Sequence, residues 1–203
     1  MSRVLNRLLN DARGVASLEF AIIVPMMFMV LIGIYQICEL VRVNMKLSSV
    51  AVSVADLVAQ QAGGVSGGTS GSLGNFCAAA RLMMTPFPTG SSSQAFSLAI
   101  VSVTNYSPGN ITVDWEVDSA CTIHATAIGA AATTLATAPV NLLPTTGPSG
   151  TSGVAGSTVI IVQAHYSYAS LIQYLAPAIA TMTKTGFSHP RTNGVVTCTA
   201  SCS

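Results

Sequence analysis

The chain has 203 residues, half of them hydrophobic, yet only 7% are charged, with eight Lys and Arg against seven Asp and Glu. That charged fraction is roughly a third of the ~25% usual in soluble domains. A net charge of +1 gives no basis for nucleic acid as a partner, and the length allows one modest globular domain beside a membrane helix.

Residues 1–14 form a basic leader in which Arg3, Arg7 and Arg13 are opposed only by Asp11. From Phe20 to Ile37 no charge occurs, and as a helix this run spans ~27 Å, close to the ~30 Å hydrocarbon layer. Residues 15–38 are therefore expected to cross a lipid bilayer once. The positive-inside rule puts the N-terminus in the cytoplasm and the remainder outside. A cleaved secretory signal fits less well: the run is long and no A-x-A site closes it. Pro25 should kink the helix, because proline removes one ladder donor and clashes with the preceding turn.

Residues 39–62 read as the same helix continuing into water. Leu40, Val43, Leu47, Val50, Val54 and Leu57 recur at steps of three and four, with polar residues between them. Gly63-Gly64 ends the pattern. Residues 63–94 look like a Gly/Ser linker, pliant over Gly63 to Gly74, with a short helix over Asn75–Met84 stopped by Pro86 and Pro88.

Residues 95–203 are expected to form the folded domain. Ala95–Tyr106 reads as a strand, Ser107-Pro108-Gly109-Asn110 as a turn, and Ile111–Asp118 as an alternating strand. Ile111, Val113, Trp115 and Val117 would share one face, and Thr112, Asp114, Glu116 and Asp118 the solvated one. The Ala/Thr/Gly/Pro-rich stretch 125–156 is expected to be a loop, with a weak helix over Ile128–Ala138. Thr158–Tyr168 is a third strand, with Ile160, Val162, Ala164, Tyr166 and Tyr168 on one face. Leu171–Ala180 is expected to be helical and Met182–Ser188 a fourth strand. The fold class is α+β, a long N-terminal helix packed on a small antiparallel sheet.

Four cysteines follow the span: Cys77, Cys121, Cys198 and Cys202. An outward compartment permits disulfides, and four cysteines allow three pairings. The preferred one is Cys77–Cys121 with Cys198–Cys202. Cys38, at the end of the span, reads as a small apolar filler.

No catalytic, cofactor or metal constellation emerges, and no small-molecule substrate is implied. His124, His165 and His189 are scattered, no CxxC or histidine spacing suggests zinc, and the serines lack a G-x-S-x-G elbow. Asn110-Ile111-Thr112 fits a glycosylation sequon but equally a plain turn.

Glu19 stands apart, since a carboxylate at the lip of a membrane helix is costly and marks function by default. A cut after Gly14 would give Val15 a new α-ammonium four residues from Glu19, within reach on a helix. The pair would form within one chain or between neighbouring subunits, and low dielectric would strengthen it.

The run Arg13-Gly14-Val15-Ala16-Ser17-Leu18-Glu19-Phe20-Ala21-Ile22-Ile23-Val24-Pro25 resembles the N-terminus of TadE-like minor pilins, or pseudopilins, of the tight-adherence (Tad/Flp) pilus system. Val159–Tyr168 and Phe187–Arg191 also look like that family's late strand and closing segment. The resemblance implies cleavage by a prepilin peptidase between Gly14 and Val15, assembly roles for Glu19 and Phe20, and the helix proline at Pro25. Implied partners are the peptidase, other pilins, pilus-assembly proteins and the lipid bilayer. The implied location is the bacterial inner membrane with a periplasmic domain, or the pilus itself. Val15 departs from the phenylalanine that mainstream type IV pilins carry after the cut. The alternative is a membrane-anchored periplasmic binding or adhesion domain that never enters a fibre.

Overall fold

The computed structural model describes residues 13–91, 94–107, 110–117, 157–168, 181–191, 195–200 and 202. The elements in chain order are helix α1 (Arg13–Ala59), strand β1 (Val65–Ser66), helix α2 (Ser72–Met83), and strands β2 (Gly90–Ser91), β3 (Gln94–Ser107), β4 (Asn110–Glu116), β5 (Ser157–Ser167), β6 (Thr181–Ser188) and β7 (Cys198–Ala200). Two compact units divide the chain, residues 1–42 and 43–203. The long helix and antiparallel sheet give the expected α+β class. The expected helices over Ile128–Ala138 and Leu171–Ala180 lie outside the described residues.

In the first unit, α1 is continuous through Pro25. Its large apolar residues are exposed on every side, Leu18, Phe20, Ile22 and Ile23 among them. Successive helical positions turn by about 100°, so exposure at neighbouring positions means that, among the described residues, no face of this stretch is covered by apolar packing. Among the described residues, this is one helix long and apolar enough to cross a membrane. Glu39 pairs with Arg42 at 3.1 Å where the charges resume.

In the second unit the rest of α1 turns one stripe inward. Val43, Leu47, Val50, Val54 and Val58 are buried, with Ala51, Ala55 and Ala59 widening the stripe. They pack with Leu73, Cys77 and Ala80 of α2 and with Phe96, Leu98, Ile100, Ile160, Val162, Ala164 and Tyr166 of the sheet. Each fully buried Val or Leu contributes about 1.5–3 kcal/mol over the exposed state.

The sheet runs β4-β3-β5-β6, antiparallel throughout, with β2 pairing the start of β3. Ala99, Val101 and Val103 of β3 and Val159 and Ile161 of β5 are buried too, so both faces of these central strands lie in the interior.

Two expectations fail. The Gly63–Gly74 stretch is not a pliant linker: it carries β1, which pairs in parallel with β7, and α2 begins at Ser72 rather than Asn75. Ser66 and Ser72 exchange reciprocal bonds, each backbone N–H donating to the other's hydroxyl at 2.9 and 3.1 Å, which serves an otherwise orphaned N–H at the helix start.

The second failure is the strict alternation of β4. Trp115 pairs with Ser102 and Val113 with Val103, so a bulge at Asp114 separates them. One inserted residue reverses the faces beyond it. Trp115 and Val117 join the helix-side core, whereas Val113, paired with Val103, is buried on the opposite face. Glu116, expected in solvent, is 2% exposed.

Candidate functional site: the N-terminal helix and the C-terminal cleft

Gly14, Val15, Glu19, Phe20 and Pro25 all lie on α1. Gly14 and Val15 occupy its first turn. Glu19 is exposed on that helix, beside the exposed apolar side chains of Leu18, Phe20, Ile22 and Ile23. Phe20 is 68% exposed, an arrangement unstable in water and suited to lipid or to another apolar helix. Cys38 is an exposed free thiol, so it does not serve as a filler within its own unit.

The second unit places the other candidates apart. Asp114 accepts hydrogen bonds from Ser102, at 3.2 Å, and from Thr104. Both donors lie on the helix side of β3. Glu116 pairs with Val101 on the other side, so these two carboxylates cannot act on one substrate atom. Asp118 and His124 lie outside the described residues.

His165 Nδ1 lies 3.0 Å from Thr183 Oγ1, and burial holds its pKa below the ordinary histidine value of 6.5. His189 Nδ1 meets the Thr158 carbonyl at 3.1 Å. Each histidine thus has a local partner. Among the described residues, no group of three His, Cys, Asp or Glu could hold a metal ion.

Cys198 and Cys202 form a disulfide, with Cα atoms 6.2 Å apart. Cys77 is also disulfide-bonded; Cys121 lies outside the described residues. Near the first bridge, Asp114, Trp115, residues 195–200 and Cys202 line a cleft of about 410 Å³. Trp115 Nε1 donates to the Val196 carbonyl at 2.7 Å. Sequence reading missed this arrangement, since nothing local to Trp115 announces a partner 81 positions away.

Among the described residues, one exposed apolar N-terminal helix leads into an α+β domain, an arrangement that suits the class of single-pass membrane-anchored proteins. Residues 14–56 match the family model of the TadE-like proteins. The match takes in Gly14, Val15, Glu19, Phe20 and Pro25 and ends at Asp56, three residues short of the end of α1. No curated protein and no solved structure matches the chain.

Proposed function

We propose that this protein is a minor pilin or pseudopilin of a tight-adherence (Flp-type) pilus, held in the bacterial inner membrane and cut by a prepilin peptidase between Gly14 and Val15. The observation that carries this reading is a coincidence of position. The TadE-like match spans 14–56, and the exposed apolar part of α1 with its single carboxylate, Glu19, lies inside it.

The mechanism is lateral packing of apolar helices, with no chemical turnover. Cleavage leaves Glu19 as the fifth residue of the mature chain, where a helix N-terminus favours negative charge. It also creates the Val15 α-ammonium, a cationic partner for Glu19 on the same chain or on a neighbour. In an apolar surround either charge alone is costly, so the pair fixes the axial register at which helices associate. Other pilins and the assembly platform are the partners, with the domain from Val43 onward on the periplasmic side.

Two measurements test this. Mass spectrometry of protein purified from cells holding the peptidase should give Val15 as the first residue, and sheared pili should contain the mature chain. An intact N-terminus in those cells would remove the processing step. A mature chain absent from pili, with piliation unaffected by its deletion, would leave the anchored binding domain as the reading.

A further inference from the structure

Among the described residues, the C-terminal strand is fastened to the domain through a short strand pairing and a few hydrogen bonds. The β1–β7 pairing joins strands of two and three residues. It is supported by Val65 N–H to the Thr197 carbonyl at 2.8 Å, Gly67 N–H to the Ala200 carbonyl at 2.7 Å, and Thr199 Oγ1 to the Val65 carbonyl at 3.0 Å. A pair of strands this short is marginal by itself. Gly64, at φ +85°, brings its backbone so close that a Cβ would lie 2.6 Å from the Thr197 carbonyl oxygen. Next to it, Val196 is buried and receives the Trp115 indole N–H.

The Cys198–Cys202 bridge does not tie this segment to the body of the domain; it closes a loop within the segment, with a sequence separation of four. Its effect is to shape the tail before it docks. Closing a five-residue loop removes enough chain entropy to favour the ordered tail roughly thirtyfold over the open one. Both cysteines line the cleft and pack on the core as half-buried groups, so a small thiol can reach the bridge through the cleft.

We propose that Cys198–Cys202 is a redox latch holding the C-terminal strand over Trp115, and that its reduction releases that strand while the sheet stays folded. The step is thiol–disulfide exchange with a dithiol reductant. One thiolate of the dithiol attacks a sulfur of the bridge, giving a mixed disulfide and freeing the other cysteine as its thiolate. The second thiol then displaces the first cysteine. Cys198 and Cys202 gain two electrons and two protons, and the dithiol leaves as a disulfide. The released strand uncovers Trp115, Val65 and Val196, an apolar patch on the second unit. This inference concerns residues beyond the TadE-like match and stands or falls separately from the pilus reading.

Trp115 is the only tryptophan in the chain, so its fluorescence reads the latch directly. In the full chain in detergent micelles, C198S/C202S should raise acrylamide quenching of Trp115 severalfold while amide protection in β3 and β5 is retained. Unchanged quenching would overturn the latch. Loss of β3 and β5 protection would overturn it as well, since the bridge would then support the whole fold. Titrating the native chain with dithiothreitol, with alkylation read by mass spectrometry, gives a second arm. Quenching should rise in step with modification of Cys198 and Cys202; their modification without a change at Trp115 would also reject the latch.

Discussion

Gly186 of β6 lies directly against the backbone of Ala51 in α1. A Cβ built on the glycine would sit 2.5 Å from the Ala51 carbonyl carbon and 2.6 Å from both its oxygen and the Val52 nitrogen. These are backbone atoms, which cannot swing aside as a side chain can. The helix reaches the sheet at this point because one strand residue has no side chain. Gly186→Val should therefore destabilise the domain by about 1–3 kcal/mol, the usual cost of overpacking a filled interior. Denaturant unfolding of the micelle-bound chain measures it. Gly33 is the contrast: nothing lies within 4 Å of its Cβ position, and Gly33→Ala should leave domain stability unchanged.

Two positions beyond Gly186, Ser188 Oγ donates to Asp56 Oδ1 at 2.6 Å. Further on, Arg191 N–H donates to the Ala59 carbonyl at 3.3 Å, satisfying one of the free carbonyls that end α1. Together with the glycine contact, these bonds hold the last turns of α1 along β6. Ser188→Ala should cost about 1 kcal/mol, less than a fully buried charge-assisted bond because Asp56 is only half-buried. Thermal unfolding read by far-ultraviolet dichroism would detect that loss, and an unchanged midpoint would assign the contact no net stability.

Much of this architecture was legible in the sequence because it rests on periodicity. The stripe from Val43 to Val54 and the inward set from Ile160 to Tyr166 both follow local patterns, and both are buried. What escaped depends on distant chain. The bulge at Asp114 sets its carboxylate against the hydroxyls of Ser102 and Thr104, and no reading of Ile111–Asp118 alone contains those donors. The ordering of Gly63–Gly74 likewise depends on β7, more than 130 residues away. A glycine inside Thr181–Ser188 was the one available signal for the helix contact, since an interior strand glycine marks close approach. At the N-terminus the run Arg13–Pro25 carried the family resemblance, and the match over 14–56 covers all of that run except Arg13.

The pH dependence of stability follows from two neighbours on β5. Burial lowers the His165 pKa below 6.5, and Nε2 of the ring is buried with no hydrogen bond among the described residues. Below 6.5 the unfolded chain therefore binds more protons than the folded one, so stability is full above that pH and is lost as pH falls toward the folded value. Tyr166 acts in the opposite direction. Burial, then the charge of Tyr168, raises its pKa above 10.0, so its contribution is full below pH 10 and is lost as pH rises through the folded value. Unfolding by urea across a pH series should give a plateau between these limits. His165→Gln should flatten the acid side and leave the alkaline side alone; an acid slope unchanged in that variant would assign it to other groups.

For Glu19 the decisive comparison is between removing its charge and replacing its helix. The exposed surface from Leu18 to Ile37 is apolar enough to hold the chain in a membrane without the carboxylate, so Glu19→Ala should leave insertion and abundance intact. If the chain is processed as proposed, cleavage after Gly14 should also persist, because the cut lies outside the side chain being changed. What should be lost is assembly: an unpaired Val15 ammonium in an apolar surround costs several kcal/mol, enough to abolish a helix contact whose register depends on the pair. Glu19→Asp keeps the charge but shortens the reach by one methylene, and should restore part of the piliation. Exchanging Phe20–Ile37 for an unrelated apolar span separates anchoring from packing. Retained piliation after that exchange would reduce the helix to a tether, and normal piliation in Glu19→Ala would remove the carboxylate from the assembly mechanism.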